Sequence, residues 1–476
     1  MDDSRFLIPG QTCWRVEQAG KFSVLIDGCD YYRALKRCIL QAREQVLMIG
    51  WDFDTRIEFE PEGKTLEGPN KLGPFLNWLT ETRPDLEVRL LRWNLGLWEA
   101  LKRGETPLFL LRWMMGEEVH IRLDAAHPPA ASHHQKFVVI DDALAFCGGI
   151  DLTKGRWDTR EHLDRNPSRR SGRGAPLGPW HDATTCVDGE AAKALGDLGR
   201  IRWKRATGEE LTAPESKHTL WPEDIEPTLT GVELGISRTM GSFDKYPETL
   251  EIETLTLKAI REARKTLYIE SQYFASRRIA EAMIERLQEE DGPEIVVVTP
   301  ESQAGWLEEK TMGSARAKLL SLVEKSDPHD RFRIFYPVTA KGTPVYVHAK
   351  IMAVDDRLLK IGSANLNNRS MGYDTECDIS LEAGAEDGHL QRTITGVRND
   401  LLAEHLGLSV EDVEKRLEEA DGSIIAVIDS GREGRHLEPL PIRQLDAADE
   451  VMSEQEMLDP IRPFSLRRAI RRRIGL

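Results

Sequence analysis

Two segments of this 476-residue chain share one pattern, and this internal duplication constrains the fold more than any other feature. The first segment, HQKFVVIDDALAFCGGID, begins at His134, and the second, HAKIMAVDDRLLKIGSAN, begins at His348. In both, H-x-K is followed by an apolar run, an Asp-Asp pair and a second apolar run that ends at glycine. A repeat of this length predicts one supersecondary unit that is used twice.

The similarity between the two parts of the chain extends upstream of these segments. CILQAREQVLMIGWDF (Cys38–Phe53) aligns with AIREARKTLYIESQYF (Ala259–Phe274), and both patterns are typical of a helix end followed by a buried strand. The runs FVVI (Phe137–Ile140) and IMAV (Ile351–Val354) also predict strands. Strands that alternate with helices indicate an α/β fold in two similar lobes, each with its own mixed sheet flanked by helices.

The composition along the chain predicts four parts. These are an N-terminal lobe with the first motif (1–205), a linker (206–247), a C-terminal lobe with the second motif (248–445) and a basic tail (446–476). The linker is polar and broken by proline and glycine, which is typical of a surface connection. Within the tail, Ile461–Leu476 has six arginines and no acidic residue, which suits either an anionic bilayer or the acidic body of the same protein.

Net charge, cysteine pattern and hydropathy argue against several classes of protein. The net charge of −16 disfavours binding of nucleic acid by bulk attraction, so no nucleic-acid partner is expected. The six cysteines form no C-x-x-C pair, so neither a zinc ribbon nor a thioredoxin motif is indicated. We find no cleavable signal peptide and no apolar run near the ~20 residues of a membrane span. We expect a cytoplasmic protein or a peripheral one at the membrane, and secretion without a cleavable signal stays open.

The paired motifs suit chemistry at phosphorus. Histidine and lysine two residues apart on a strand point to the same face. A neutral histidine can attack phosphorus, a protonated one can donate to a leaving alcohol, and lysine binds phosphate oxygens. Two such pairs facing each other supply nucleophile, acid and cationic cradle, so neither a metal ion nor a cofactor is expected. The alternative, a core histidine beside a surface lysine, fits one motif alone about equally well but not both together.

Four further blocks surround the motifs: GGIDLTKGRWD (Gly148–Asp158), PWHD (Pro179–Asp182), IESQYF (Ile269–Phe274) and GSANLNNRSMGYDTE (Gly362–Glu376). Together with the double motif, these blocks resemble the phospholipase D superfamily in its branch of larger phospholipases D. The resemblance covers most of the chain, from about Leu25 to Leu408. It implies two lobes related by pseudo-twofold symmetry, with one active site at their junction.

The resemblance also implies roles for individual residues. One histidine becomes a covalent phosphohistidine while the other acts as acid and then base, and we assign these roles to His134 and His348, with the reverse assignment left open. The implied catalytic residues are His134, Lys136, Asp141, His348, Lys350 and Asp355. The implied substrate-binding or orienting residues are Asp182, Ser363, Asn365 and Glu376. Among these, the two motif aspartates are expected to bond backbone groups, and the two downstream acids to orient the histidines.

The first motif departs from the symmetric pattern at two positions. Gly149 stands where the second motif has Ser363, and Asp151 stands where it has Asn365. Both differences are normal in the branch that carries GGxD, and they imply an asymmetric phosphate site. Ser271 occupies a position where the family block often has asparagine, which bears on specificity rather than on chemistry.

Other features have simpler interpretations. The arginine-rich stretch Lys154–Arg173 favours a solvated loop over a contact with lipid head groups or nucleic acid. Trp51, Trp157 and Trp180 lie beside motif blocks and are candidates for the pocket wall. His181 is ambiguous between a core and a site role. Ser409 is predicted to be the N-cap of a helix.

The expected activity is hydrolysis or exchange of the distal phosphodiester of phospholipids, which gives phosphatidic acid and a head-group alcohol. The expected partner is a phospholipid membrane surface, and the expected state is a monomer. One rival is a cardiolipin synthase-like phosphatidyltransferase, although its bacterial versions usually carry N-terminal membrane helices. A second rival is a nuclease on the same scaffold, and a third is an inactive membrane-binding protein, against which two intact motifs argue.

Overall fold

The computed structural model of the protein describes residues 5–94, 119–215, 218–303 and 313–441 together with residue 459. The strands are β1 (Arg15–Ile26), β2 (Gln45–Gly50), β3 (Glu87–Trp93), β4 (Val119–Asp124), β5 (Phe137–Ile140), β6 (Leu144–Gly148), β7 (Trp180–His181), β8 (Ala183–Asp188), β9 (Leu229–Met240), β10 (Thr249–Leu250), β11 (Thr266–Glu270), β12 (Glu294–Val298), β13 (Phe332–Val338), β14 (Tyr346–Val347), β15 (Ile351–Val354), β16 (Leu358–Gly362), β17 (Glu376–Glu382) and β18 (His436–Pro439). The helices are α1 (Asp27–Ile39), α2 (Leu72–Thr82), α3 (Gly189–Thr207), α4 (Glu251–Glu262), α5 (Arg277–Leu287), α6 (Ser314–Lys325), α7 (Asn368–Gly372), α8 (Gly388–Leu406), α9 (Val410–Glu419) and α10 (Ile424–Asp429). The mixed α/β fold is confirmed, and so are the strands predicted at FVVI and IMAV.

Within the described residues, sixteen strands form one continuous mixed sheet, where the sequence predicted a separate sheet in each half, and β7 pairs with β14 apart from it. Its order is β18-β13-β12-β11-β15-β16-β17-β9-β1-β8-β6-β5-β2-β3-β4, with β10 paired to β9. The sheet is continuous because β1 and β9 pair antiparallel at its centre. Outward from that pair, each half repeats one order: β8-β6-β5-β2-β3-β4 in the first and β17-β16-β15-β11-β12-β13 in the second. The pseudo-twofold relation between the lobes stays a prediction.

Strand β9 corrects the interpretation of 206–247 as a surface connection, because it lies at the centre of the sheet. Its sequence, LTGVELGISRTM, lacks a clear apolar period. The small and polar residues are explained by the N-terminal segment that packs over them. A Cβ at Gly235 would lie 2.7 Å from Leu7 Cδ2, and Ser237 Oγ donates 2.8 Å to Thr12 O. The four domain boundaries themselves stay predictions.

The hydrophobic core explains why the two halves form one body. One cluster of buried apolar residues lies in the first half, and another lies mainly in the second. A third cluster contains Phe137 and Val139 of β5 together with Ile351 and Ala353 of β15. The apolar runs of the two motifs therefore contribute to one shared core.

Two smaller observations complete the fold. Ser409 is the N-cap of α9 and its side chain accepts from Asp412 N, as the sequence predicted. Within the described ranges, no helix has both the length and the apolar composition needed to cross a membrane. The arginine-rich segment Ile461–Leu476 lies outside the described residues.

Candidate active site

The two motif aspartates hold backbone, as expected from the sequence. Asp141 accepts from the backbone N–H groups of Arg43, Glu44 and Gln45 at 2.6, 2.8 and 2.7 Å. Asp355 accepts in the same way from Arg264, Lys265 and Thr266 at 2.9, 2.8 and 2.9 Å. Each carboxylate thus ties the turn that follows its motif strand to the start of the neighbouring antiparallel strand, β2 or β11. Both aspartates therefore support the site through backbone contacts.

The backbone N–H of each motif histidine donates a hydrogen bond to a carbonyl in the other half of the chain. His134 N donates 3.0 Å to Thr375 O, and His348 N donates 2.8 Å to His181 O. Short strands β7 and β14 pair in parallel beside the second contact. Each accepting carbonyl belongs to the residue immediately before one of the two predicted orienting acids. The backbone therefore places each histidine against an acid from the opposite half.

The side chains complete these crossed pairs. His134 Nδ1 lies 3.0 and 2.9 Å from Oε1 and Oε2 of Glu376. His348 Nδ1 lies 2.7 Å from Oδ2 of Asp182. A carboxylate only accepts, so Nδ1–H donates in both pairs and Nε2 is left with its lone pair. Both imidazoles are thus in the tautomer that nucleophilic or base chemistry at Nε2 needs.

Electrostatics keeps both imidazoles neutral. Burial, followed by the charges of Lys136 and Lys350, holds the pKa of His134 well below its usual range. Burial, followed by the charges of nearby cations that include both lysines, does the same to the pKa of His348. Each lysine therefore lowers the pKa of both histidines. Burial also raises the pKa of Glu376 to about 7 and that of Asp182 to about 6.

The two lysines lie beneath the histidines. Lys136 Nζ donates 2.9 Å to the carbonyl of His134 and lies 3.4 Å from Oδ2 of Asp151. Lys350 Nζ donates to the carbonyl of His348, and burial lowers its pKa to about 7. Asp151 thus neutralises one lysine only. The carboxylates that act on Lys350 are instead the orienting acids, Asp182 and Glu376.

The departures from symmetry follow from the sizes of the orienting acids. A Cβ at Gly149 would overlap Oδ1 of Asp182, so this position has no room for a side chain. At the equivalent place in the second half, Ser363 Oγ donates 2.5 Å to Oε2 of Glu376. Ser363 therefore orients His134 through the acid. Asn365 is buried, and its Oδ1 has no hydrogen-bond partner within the described residues, so it is available to a ligand.

Aromatic rings form one wall of the site. Trp180 lies 5.1 Å from the ring of His348 and stacks on Tyr346 at 4.6 Å. Arg156 covers the Trp180 ring at 4.1 Å. Trp51 stacks on a second tryptophan and donates its backbone N–H to Asp151. Trp157, a third candidate for the wall, lies instead in the apolar core of the first half.

Family comparisons agree with this geometry. The profile described as "Phospholipase D" matches residues 112–223, and the profile described as "Cardiolipin synthase, PLD-like domain" matches residues 256–395. Each matched segment contains one complete motif. The chain belongs to the phospholipase D superfamily.

Members of the superfamily with curated names match over long stretches at low identity. Phospholipase D A of Dictyostelium discoideum is 24% identical over 468 residues, which cover 80% of this chain and 35% of that protein. Phospholipase D delta of Arabidopsis thaliana is 27% identical, over 58% of this chain and 48% of that protein. This chain therefore spans between about a third and a half of the length of these relatives.

A solved structure shares the fold of the present chain. The crystal structure of phosphatidylserine synthase from Haemophilus influenzae Rd KW20 superposes with a TM-score of 0.55. The superposition covers 86% of this chain and 94% of that one, at 13% sequence identity. At this identity the likeness concerns the fold alone.

The sequence analysis did not identify the residues that hydrogen-bond to the orienting acid Glu376 or bury the loop before β7. Ser370 Oγ donates 2.7 Å to Oε1 of Glu376, so it shares the orienting acid with Ser363. The stretch Lys154–Arg173, predicted to be a solvated loop, is partly buried, because Arg169 donates 2.8 Å to both oxygens of Asp158. The only available signal was that these residues lie inside or beside family blocks.

Among the described residues, two groupings of buried histidines and carboxylates are close enough to hold a metal ion. One consists of Asp27, His162, His181 and Glu404, and the other of His181, Glu270 and His405. Within each grouping, the potential ligand atoms lie within 4.8 Å of one another. Neither grouping includes a motif histidine or lysine.

Proposed function

We propose that the protein is a phosphodiesterase of the phospholipase D type, which hydrolyses phospholipids to phosphatidic acid and a head-group alcohol. The observation that carries the proposal is the crossed pairing of each motif histidine with an acid from the other half. Two oriented, neutral imidazoles beside two lysines supply the groups that a two-step displacement at phosphorus needs. The named relatives support the choice of a phospholipid over other phosphodiesters.

In the first step, Nε2 of His134 attacks phosphorus and the bond from phosphorus to the head-group oxygen breaks. Nε2 of His348 gives its proton to that oxygen, so the head group leaves as an alcohol. The lysines hold the non-bridging oxygens, where negative charge accumulates. Before this step Nε2 of His348 takes up a proton from water, because a substrate anion between the lysines offsets the positive charge that otherwise keeps His348 neutral.

In the second step, His348 is neutral and takes a proton from water. The resulting hydroxide attacks phosphorus, the bond to His134 Nε2 breaks, and phosphatidic acid is released. A short alcohol in place of water gives the phosphatidyl ester of that alcohol. Asp182 and Glu376 keep Nδ1–H of both rings engaged throughout, so that Nε2 remains the reacting atom.

The deciding experiment offers the protein vesicles of defined phospholipids in the presence of 1-butanol and identifies the products by mass spectrometry. Phosphatidic acid with free head group indicates hydrolysis, and phosphatidylbutanol indicates transfer. Phosphatidylglycerol alone tests the cardiolipin synthase-like rival, and a single-stranded oligonucleotide tests the nuclease rival. Failure to convert any phospholipid would refute the proposal.

Variants separate the roles of the two histidines. His134→Ala and His348→Ala should each abolish turnover, whereas the exposed His329 offers a matched control, His329→Ala, that should retain it. His348→Ala should also accumulate a phosphorylated His134 with an activated substrate. Phosphate found on His348 in His134→Ala would reverse the assignment.

Dialysis against a strong chelator should leave cleavage of a soluble phosphodiester unchanged, and a loss restored by one divalent ion would contradict the lysine-based mechanism.

A further inference from the structure

A second cluster of titratable groups lies directly behind the Asp182–His348 pair, and the proposed mechanism does not use it. Its members are all buried: Asp27, Asp158, His162, His181, Glu270, Glu404 and His405. They come from the start of α1, the loop before β7, β7 itself, the end of β11 and the end of α8. The cluster thus joins both halves of the chain at the residue next to Asp182.

His181 is the centre of this cluster, and both of its ring nitrogens face a carboxylate. Nδ1 lies 2.7 Å from Oε1 of Glu404, and Nε2 lies 2.7 Å from Oε2 of Glu270. Glu270 also accepts 2.6 Å from the hydroxyl of Tyr268 and lies 2.9 Å from Nε2 of His405. Both acids therefore belong to the second half, while His181 belongs to the first.

His162 repeats this arrangement beside it. Nδ1 of His162 lies 3.0 Å from Oδ2 of Asp158, and Nε2 lies 3.1 Å from Oε1 of Glu404. Asp27 Oδ2, which has no hydrogen bond within the described residues, lies 3.5 Å from the same Nε2. Glu404 thus bridges the two histidines through one oxygen atom.

This geometry requires protons on all four ring nitrogens. A neutral imidazole has one donor and one lone pair, and a lone pair that faces a carboxylate is repelled by it. Burial alone would lower both histidine pKa values, but the surrounding carboxylates raise that of His162 to about 9 and that of His181 well above its usual range. Two imidazolium ions, Arg160 and Arg169 then face Asp27, Asp158, Glu270 and Glu404, and Arg160 also pairs with Asp400.

A metal ion fits the same atoms less well than protons do. Two ligands of one tetrahedral zinc ion, each bound at about 2.0–2.1 Å, lie about 3.3 Å apart. The separation of 2.7 Å between His181 Nδ1 and Glu404 Oε1 is instead that of a charge-assisted hydrogen bond. Nε2 of the same ring is also engaged by Glu270, as a protonated imidazole requires.

The cluster reaches the reacting groups through backbone. The carbonyl of His181 accepts from His348 N, and the N–H of Asp182 donates 3.1 Å to Oδ1 of Asp27. Asp27 N in turn donates 2.8 Å to the carbonyl of Asp182. The backbone on both sides of the orienting acid is therefore held by members of the cluster.

We propose that His181 is a positioning residue whose doubly hydrogen-bonded ring fastens β7 to the second half of the protein. Asp182, the next residue, thereby keeps its place against His348. The inference rests on the proposed function, because the pair that it positions is the acid and base of that reaction. His181 touches no reacting atom and acts only through its neighbour.

A nuclear magnetic resonance experiment on the full chain tests the bridge without any substrate. In protein labelled with ¹⁵N-histidine at pH 8, two side chains should show imidazolium signals with both nitrogens protonated. His181→Gln should remove one of these signals, and His162→Gln the other. Signals of neutral rings would overturn the inference, and so would one tightly bound zinc ion per chain that both variants lose.

A kinetic experiment tests the positioning role with two soluble phosphodiesters that differ in the leaving group. His181→Gln should slow release of choline by about 100-fold, because that alcohol needs the proton from a well-placed acid. Release of 4-nitrophenol in the first turnover should change by less than about tenfold, because this leaving group departs without a proton. Equal loss on both substrates would mean a merely structural role and would overturn the inference.

Two controls keep the outcomes distinct. If His181→Gln does not fold, the double variant His181→Gln with Glu270→Gln takes its place. It removes one cation and one anion together, so it should fold. It should also slow release of choline more than release of 4-nitrophenol. His329→Gln should leave both rates unchanged. A wild-type protein that cleaves neither diester would refute the proposed function, and the imidazolium signals would still decide whether the bridge exists.

Discussion

At the scale of single residues, the two orienting acids differ by one methylene group, and their surroundings follow from that difference. Asp182 is short, so its carboxylate lies close to the backbone of the first motif and leaves room only for Gly149. Glu376 is longer, and the hydroxyls of Ser363 and Ser370 fill the space around it and orient it. Gly149 leaves room for Asp182, and Ser363 donates to Glu376, so each residue helps an acid to accept the Nδ1–H of a histidine.

This comparison predicts the effect of adding one methyl group. Gly149→Ala should displace the carboxylate of Asp182 and lower kcat by about 10- to 100-fold, because overpacking costs about 1–3 kcal/mol. KM should change little, since the lysines are untouched. The control is Gly384→Ala, at a position where a new Cβ meets nothing within 4 Å. A Gly149→Ala variant with normal kcat would contradict the assigned role of Asp182.

The raised pKa values of the two acids predict an acid limb in the pH profile. Burial raises the pKa of Glu376 to about 7 and that of Asp182 to about 6, so lowering the pH through this range protonates both acids. A protonated carboxyl group accepts the Nδ1–H more weakly, and kcat/KM should fall as the pH decreases from about 7 to below 6. The measurement uses a soluble phosphodiester. In Glu376→Gln the limb near pH 7 should disappear, and an unaltered profile would contradict the assignment.

At the scale of secondary structure elements, the Asp-Asp turns after β5 and β15 hold the site together. Asp141 and Asp355 each cap three backbone N–H groups at the entrance to β2 and β11. Both residues have positive φ, 51° and 52°, which an aspartate in a tight turn tolerates. Because these turns close the hairpins β5–β6 and β15–β16, they set where each motif strand ends.

Neutralising either aspartate should therefore cost stability rather than substrate affinity. Asp141→Asn and Asp355→Asn should each lower the free energy of unfolding by about 2 kcal/mol, because hydrogen bonds to a charged acceptor are lost. The measurement is the urea midpoint followed by circular dichroism, with KM determined in parallel. Asp356→Asn, in the same turn, should shift stability by less than about 0.5 kcal/mol. A raised KM with unchanged stability would instead indicate contact with substrate.

At the scale of the whole molecule, the active site exists only because the two halves are one body. Strands β1 and β9 join the halves by antiparallel pairing in one register, from Arg15–Ile236 to Phe22–Leu229. The crossed pairs of histidine and acid then form within a single chain. A second copy of the protein is not needed to complete the site.

This arrangement predicts that two inactive variants do not rescue each other. His134→Ala and His348→Ala, unfolded together, refolded as a mixture and assayed on a soluble phosphodiester, should remain inactive. If the halves were exchanged between chains, random mixing would restore about a quarter of the sites. The control is the wild-type protein taken through the same refolding. Recovered activity in the mixture would contradict both the intrachain site and the expected monomer.

The sequence by itself determined the local structure of the motifs. The apolar runs FVVI and IMAV predicted β5 and β15, and the Asp-Asp pairs predicted turns that bond backbone. These inferences succeeded because strand periodicity and turn chemistry depend on neighbouring residues. The predicted acids Asp182 and Glu376 were also brought to the histidines, although their position came from the family resemblance rather than from local pattern.

Only the tertiary structure decided how the halves join and what lies behind the site. Strand β9 looked like a polar linker, because the N-terminal segment satisfies its polar groups from more than 200 residues away in sequence. The same holds for His181, whose partners Glu270 and Glu404 are 89 and 223 residues away. Neither local propensity nor spacing reports on such contacts, because a buried charge is stable only where folding brings its counter-charge.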